Sequence, residues 1–146
     1  MESFQLTSEH TIHRFVLSRC EKNCRTVDDI VAVLTWQLES DLSLALLSVF
    51  DNYAHAIRCG TTITADIKSA KCFVWCSSPG LLDTSAIPLQ IHAIGIADLG
   101  DRFAINYEES PYPAVNQMIQ DWIAILRSPD VFVRSGLAVA LQAANE

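Results

Sequence analysis

The stretch LQIHAIGIADLGDRFAINYEE, residues 89–109, contains the clearest paired structure in this sequence. Two runs rich in β-branched and aromatic residues flank the segment ADLGD, which contains Asp98 and Gly100. Asp suits the start of a turn, and Gly suits a position that needs a left-handed backbone. The segment is therefore predicted to be a β-hairpin around which the rest of the chain folds.

The loop length decides which side chains share a face of this hairpin. A three-residue loop at 98–100, a type I turn followed by a G1 bulge, pairs Gly95 with Phe103. This register is favoured because small residues then lie opposite large ones, and the hairpin needs cover on both faces near its turn. A two-residue loop at 99–100 is the alternative, and it places four large residues on one face: Ile94, Ile96, Phe103 and Ile105.

The composition predicts apolar surface that the fold does not cover. The chain has 146 residues, of which 50% are hydrophobic and only 18% are charged. A domain of this size has a substantial core, but so few charges leave apolar side chains for the surface. Self-association into a homo-oligomer, or binding of a protein partner, is the expected use of that surface.

Charge and apolar patterning exclude two classes of partner. A net charge of −7, with Lys and Arg scattered along the chain, opposes binding to a phosphate backbone. No apolar run is long enough to span a bilayer, and the N-terminal MESFQLTSEH does not resemble a signal peptide. The five cysteines then suggest free thiols in a reducing compartment. The prediction is a single cytoplasmic domain, residues 1–146, with neither nucleic acid nor membrane as partner.

The N-terminal half is predicted to be helical. Residues 8–20 and 27–39 both show apolar residues at helical spacing, and Thr26 is a credible N-cap for the second helix. Residues 42–57 are predicted to form a third helix that ends at Gly60. The alternative is a strand pair that turns at Asp51-Asn52, since leucines also alternate over the first part of this segment.

The rest of the chain supplies strands and further helices. Strands are predicted at 61–68 and 71–76, and a helix at 113–127 with Pro113 at its start. Residues 130–144 are predicted to be a last helix, with a short hairpin around Ser135-Gly136 as the alternative. The predicted fold class is α+β: N-terminal helices, a small antiparallel sheet built around the 89–109 hairpin, and C-terminal helices packed on it.

One cluster of residues has the chemistry of a metal site. Histidines three residues apart on a helix share a face, and a cysteine pair follows them closely. The spacing differs from that of a standard zinc finger, so a surface helix with semi-buried cysteines is the expected structure. The candidate ligands are His10, His13, Cys20 and Cys24.

The other cysteines are expected to be structural. Cys72 and Cys76 lie about 13 Å apart if their segment is a strand, too far for a disulfide or a shared metal ion. Nothing in the sequence places a base beside Cys59. The sequence predicts no cofactor.

The polar end of the hairpin, far from its turn, holds the strongest candidate for a ligand site. In the favoured register His92 lies opposite Asn106 and near Glu108, where it could act as a base or bind a ligand. Aromatic residues nearby in sequence could form the walls of a pocket. The candidate ligand-binding residues are His92, Asn106, Glu108, Tyr107 and Trp122.

Catalytic motifs are missing from the sequence. It has no glycine-rich phosphate loop, no G-x-S-x-G and no HExxH. The function predicted first is therefore a non-catalytic interaction protein that self-associates or binds a protein partner through apolar surface with an acidic rim. The alternative is a small-molecule-binding protein or minor enzyme, with a pocket between the 89–109 hairpin and the 113–127 helix.

Overall fold

A computed structural model describes residues 11–19, 24–77, 90–128, 133–134 and 137–138. Its strands are β1 Ile12–Ser18, β2 Leu44–Phe50, β3 Ser69–Ser77, β4 Gln90–Asp98, β5 Arg102–Glu108, β6 Val133–Arg134 and β7 Leu137–Ala138. Its helices are α1 Val27–Glu39, α2 Asn52–Arg58 and α3 Pro113–Leu126.

Five of these strands form one antiparallel sheet in the order β1-β5-β4-β3-β2. Its central hairpin, β4 and β5, is the segment that the sequence singles out. The predicted arrangement of N-terminal helices, a small sheet and C-terminal helices is wrong, because strands begin the described chain and α1 lies between β1 and β2. The helices are thus inserted between strands of a sheet that is larger than expected.

The favoured hairpin register is also wrong. Asp98 pairs with Phe103 and Ile96 with Ile105, and the Leu99 N–H donates to the Arg102 carbonyl (2.8 Å), so Gly100 and Asp101 form a two-residue loop. Gly100 has a φ of +99°, which fits a glycine at the first position of such a loop. Relative to the favoured register, the observed pairing is shifted by an odd number of residues, which places the large apolar side chains on one face, as the alternative register does. These side chains are all buried: Ile94, Ile96, Phe103 and Ile105.

The predicted helix at 8–20 is instead β1. Its β-branched and aromatic residues pair with β5 from Ile12–Glu108 to Ser18–Arg102. Phe15 and Leu17 point toward the core, and Val16 points away from it. The pairing with β5 overrides a local pattern that fits a helix equally well.

The helix prediction at 42–57 is wrong for its first half. β2 pairs with β3, and a register shift between Leu46 and Ser48 leaves Leu47 as the extra residue of a β-bulge. Asp51 then caps the short helix α2 through a hydrogen bond to the Ala54 N–H (2.8 Å). The alternative of a strand pair is therefore right for β2 and wrong for the residues after Asp51, which are helical.

Three of the other predicted elements are confirmed. α1 begins after Thr26, whose side chain forms a reciprocal capping box with Asp29. β3 and α3 occupy the predicted segments, with Pro113 at the first turn of α3. Residues 61–68 contain a turn at 65–66 and do not form the predicted strand.

The tail departs from the predicted helix at 130–144. β6 and β7 pair antiparallel, with Val133 opposite Ala138 and Arg134 opposite Leu137. This pairing matches the hairpin alternative. The rest of that segment lies outside the described residues.

The core lies between one face of the sheet and the helices α1 and α3. This inner face and both helices contribute the buried cluster, which includes Leu17, Ile30, Leu34, Leu38, Phe73, Trp75, Ile94, Ile96, Phe103, Ile105, Tyr107, Ile119, Trp122 and Leu126. The opposite, outer face of the sheet carries exposed apolar residues such as Ile12, Val16 and Ile91. None of the described helices is long and apolar enough to cross a membrane.

Candidate functional site

The β4–β5 ladder stops before the two strands end. Its last pair is Ile94–Tyr107, whereas residues 90–93 continue to pair with β3 on the other side. Beyond the last pair the strands diverge, and a cavity of about 370 Å³ lies between them and α3. We call it the hairpin pocket; among the described residues it is lined by Gln90, Ile91, His92, Ala93, Glu108, Glu109, Ser110, Pro111, Tyr112, Val115 and Ile119.

Pairing with β1 carries the end of β5 away from β4. Glu108 pairs with Ile12, and the Glu109 N–H donates to the Thr11 carbonyl (2.8 Å). These bonds use the backbone groups of β5 that face β1, so they leave the side of β5 that faces β4 available. The gap between β4 and β5 therefore results from the path of the chain beyond β5.

Asn116 holds the chain in that direction. Its side-chain oxygen accepts from the Ser110 N–H, and its Nδ2 donates to the Ser110 carbonyl, both at 2.8 Å. Both backbone groups of Ser110 are therefore satisfied from α3 and are not needed by a strand ladder. Pro111, the next residue, has no N–H to donate to a ladder. The pocket thus has a physical cause in the residues that begin α3.

His92 lies in the pocket wall, packed against the core. Its ring contacts the Trp75 ring, with centroids 4.4 Å apart, and its Nε2 lies 3.3 Å from Ser77 Oγ. Ser77 Oγ is also within 3.3 Å of Gln90 Oε1, to which it donates. Partial burial lowers the pKa of His92 below its ordinary value, because the charged imidazolium loses solvation. A neutral imidazole therefore faces the pocket at neutral pH.

The structure separates the five predicted ligand-binding residues. His92 and Glu108 both line the hairpin pocket. Asn106 pairs with Gly95 rather than lying opposite His92, and its Oδ1 accepts from Arg14 Nε (3.0 Å). The observed register is the reason, since it moves Asn106 to the outer face.

The remaining two predicted residues belong to the core. The Tyr107 hydroxyl accepts from Gln120 Nε2 (3.3 Å), and its ring stacks on those of Phe15 and His13. Trp122 packs against Trp75, with ring centroids 5.1 Å apart. Neither tryptophan is in the described lining of the pocket, and Trp75 in turn packs against His92, which is.

Sequence reasoning missed the pocket residues contributed by the loop after β5 and by α3. Ser110, Pro111, Val115 and Ile119 line the cavity but carry no motif. The sequence did offer one signal, the order Ser-Pro-Tyr-Pro shortly after the predicted strand. Proline cannot donate to a strand ladder, so these residues indicate that the pairing of β5 ends here. The apolar stripe of α3 predicts which side of the helix is buried. It does not distinguish the residues that pack in the core from those that face a cavity.

The candidate metal ligands are only partly described. His10 and Cys20 lie outside the described residues, and His13 is on β1, not on a helix, with its Nε2 2.9 Å from Glu109 Oε1. Burial, with a smaller contribution from Asp29, raises the pKa of Cys24 to about 12, which opposes the thiolate that a metal needs. In the part of the chain that the structure describes, no group of three or more potential ligands comes together.

Cys59 differs from the other described cysteines. It is exposed at the end of α2, and its Sγ lies 3.5 Å from His55 Nε2, so a base does lie beside it. Cys24 and Cys76 are buried, and burial raises the pKa of the Cys72 thiol. All four are free thiols.

Exposed apolar side chains are concentrated on β2. Ala45, Leu46, Leu47, Ser48, Val49 and Phe50 are all exposed, although they alternate between the two faces of the sheet. Leu42, just before the strand, is fully exposed. We call residues 44–50, the last strand at one end of the described sheet, the β2 edge.

Comparison with known proteins identifies a family and no activity. A family model described as a family of unknown function, DUF6858, matches residues 1–128. Neither the curated proteins nor the solved structures gave a match. The chain therefore belongs to the DUF6858 family of unknown function.

Proposed function

We propose that this protein is a non-catalytic interaction protein that self-associates through the β2 edge, pairing antiparallel with β2 of a second copy. One observation carries the proposal: six consecutive residues of an edge strand, five of them apolar, are exposed. A strand at the edge of a sheet presents unpaired N–H and C=O groups that can continue the ladder.

The two edges of the sheet differ in how they are protected. On β1 the outward Arg14 is charged, and Arg127 Nη2 donates to the Val16 carbonyl (3.0 Å). Charged side chains and bonds of this kind discourage pairing with another chain. The sequence of β2, LALLSVF, contains no charge and no proline. Of the two edges, β2 is the one suited to association.

A second copy is the partner that matches this strand best. A two-fold axis pairs each strand with an identical one running antiparallel, so the same residues contact one another. Because β2 carries no charge, such pairing creates no like-charge contact within the strand, and it covers apolar side chains on both faces. The free thiols of the described cysteines agree with a cytoplasmic location.

A charge at Leu47 tests the proposal. Leu47 is the extra residue of the bulge and has no partner in β3, so L47K leaves the existing ladder intact. V16K on the other edge strand is a matched control, because Val16 and Leu47 are 48% and 47% exposed. We expect light scattering after size exclusion to give twice the chain mass for wild type and V16K, and the single-chain mass for L47K.

Two outcomes would contradict self-association through the β2 edge. A wild-type protein that is monomeric at about 100 µM contradicts self-association, since a functional dimer of this kind needs a Kd below that range. Dissociation by V16K to the same extent as by L47K contradicts the assignment to the β2 edge. In either case, the interaction that remains is the binding of a different protein at this edge. The net charge of −7 favours a basic protein as that partner.

We propose small-molecule binding as a second function, supported by the hairpin pocket. Its volume, about 370 Å³, lies in the range of ligand sites, and its lining combines apolar walls with a few polar groups. NMR titration with small aromatic fragments tests it. Shifts confined to amides such as those of Ala93, Val115 and Ile119 support the function, and their absence at about 10 mM fragment contradicts it.

A further inference from the structure

The backbone of β4 points alternately toward β3 and toward β5, as in any antiparallel strand with two neighbours. Two hydrogen bonds at the turn show which residues face which side. The Asp98 carbonyl accepts from the Lys68 N–H, next to β3 (2.7 Å). The Leu99 N–H donates to the Arg102 carbonyl, on β5 (2.8 Å). β4 pairs without a register shift, so the N–H and C=O of Ile91, like those of Leu99, point toward the β5 side.

Ile91 has lost the partner that a continued ladder would give it. The last pair is Ile94–Tyr107, so three further steps along both strands bring Ser110 opposite Ile91. Both backbone groups of Ser110 are instead bonded to the Asn116 side chain on α3. Within the described part of the chain, the N–H and C=O of Ile91 therefore have no strand to pair with on that side.

These unpaired backbone groups lie at the hairpin pocket, because Ile91 and Ser110 both belong to its lining. A strand that offers a free N–H and C=O is a template for a further extended chain. Several peptide-binding domains use this chemistry: main-chain hydrogen bonds supply affinity, and pockets for alternate side chains supply specificity. A ligand with a donor and an acceptor spaced as in one extended residue fits Ile91.

The pocket also offers an apolar wall for a neighbouring side chain of such a ligand. His92 points to the inner face of the sheet, where its ring packs on Trp75. Residues that lie opposite each other in a ladder share a face, so a ligand residue opposite His92 also points inward. There it meets α3, whose Val115 and Ile119 are buried and line the pocket. An apolar side chain is preferred at that position.

We propose that the hairpin pocket binds a short extended peptide, which continues the line of β5 and pairs antiparallel with β4 at Ile91. One peptide residue exchanges two main-chain hydrogen bonds with Ile91, and the residue before it places an apolar side chain against α3. This inference rests on the second function proposed above, and it names the chemical class of that ligand.

Three probes separate main-chain pairing from apolar binding. The first is the blocked dipeptide N-acetyl-Leu-Ala-N′-methylamide, whose alanine is placed to pair with Ile91. The second is its ester analogue, in which an oxygen replaces the alanine N–H, and the third is benzyl alcohol, which has no amide. We expect the dipeptide to bind about tenfold more tightly than the ester, because the ester leaves the Ile91 carbonyl without a donor. Amide shifts at Ala93, Val115 and Ile119 locate the binding.

A proline at Ile91 removes the donor on the protein side. The N–H of Ile91 faces away from β3, so I91P breaks no bond to that strand, and Gln90 before it is already extended. The matched control is I91A, which keeps the N–H and removes only an exposed side chain. We expect I91P to weaken the dipeptide by about tenfold and I91A by less than twofold. Neither variant should change the binding of benzyl alcohol.

Amide hydrogen exchange in the wild type gives a measurement that needs no variant. We expect the Ile91 N–H of the free protein to exchange much faster than the His92 N–H, which faces β3. With the dipeptide at about ten times its Kd, exchange at Ile91 should slow by about tenfold. Protection of Ile91 equal to that of His92 in the free protein contradicts the proposal, because the N–H is then already paired.

Two binding results overturn the inference in different ways. If the ester binds as tightly as the dipeptide, or if only benzyl alcohol binds, the pocket remains a small-molecule site but the pairing with Ile91 is wrong. If none of the three probes shifts the pocket amides at about 10 mM, both the pairing and the second proposed function are wrong. These results come from the wild-type protein, so they decide the matter even if I91P does not fold.

Discussion

At the level of single residues, His92 couples the hairpin pocket to the stability of the fold. Burial lowers the pKa of His92 below 6.5, so the unfolded chain binds more protons than the folded chain just below that pH. The free energy of unfolding therefore falls as the pH drops through 6.5, until the pH lies below the pKa of the folded state. Packing on Trp75 is the structural cause, because that ring replaces water on one face of the imidazole.

Replacing His92 should remove this part of the pH dependence. H92Q is neutral at every pH, so we expect a smaller loss of stability between about pH 7.5 and pH 5 than in the wild type. Urea denaturation of both proteins at the two pH values measures the difference. An equal or steeper loss in H92Q contradicts the assignment, since every other titrating group is common to the two chains.

At the level of secondary-structure elements, Asn116 joins α3 to the end of β5. Its two hydrogen bonds to Ser110 replace the ladder bonds that β4 does not make. We expect N116A to lower the free energy of unfolding by about 1–3 kcal/mol, the cost of leaving partly buried backbone groups without partners. The higher helix propensity of Ala offsets only about 0.5 kcal/mol of that loss.

Gln117 is the control for this prediction. It is the next residue of α3, is exposed, and bonds to Asp121 within its own helix (2.9 Å). Q117A should change the stability by less than about 0.5 kcal/mol in urea denaturation. If N116A is as mild as Q117A, the end of β5 is held by its pairing with β1 alone.

At the level of the complete fold, the sheet has two unlike faces and two unlike edges. The helices α1 and α3 pack on the inner face, and the β2 edge leaves apolar side chains exposed. If a second copy covers that edge, folding and association are linked, and the melting temperature depends on protein concentration.

A dilution series checks this linkage. A tenfold rise in concentration stabilises each subunit of a dimer by about 0.7 kcal/mol, half of the value per dimer. For a chain of this length we expect Tm to rise by roughly 2–3 °C. L47K should show no such rise, and V16K should behave like the wild type. A concentration-independent Tm in the wild type contradicts the dimer.

Local sequence signals were sufficient where an element is specified by its own residues. The capping box at Thr26, the apolar stripe of α1 and Pro113 at the start of α3 predict the helices that the structure contains. The turn chemistry of Asp98 and Gly100 likewise predicts a hairpin between β4 and β5. These signals act over a few residues, so no knowledge of the rest of the fold is needed.

The amino-acid order alone was enough to show that residues 90–108 form a hairpin and that polar groups gather at its open end. Which of those groups meet depended on the packing of the folded chain. A change of register by an odd number of residues turns the side chains of one strand to the other face, and the observed pairing therefore leaves His92 in the pocket wall and Asn106 on the outer face. β1 and β2 are strands because β5 and β3, which are distant in the chain, satisfy their backbone hydrogen bonds. The spacing of apolar residues within a segment does not indicate which distant strand it pairs with.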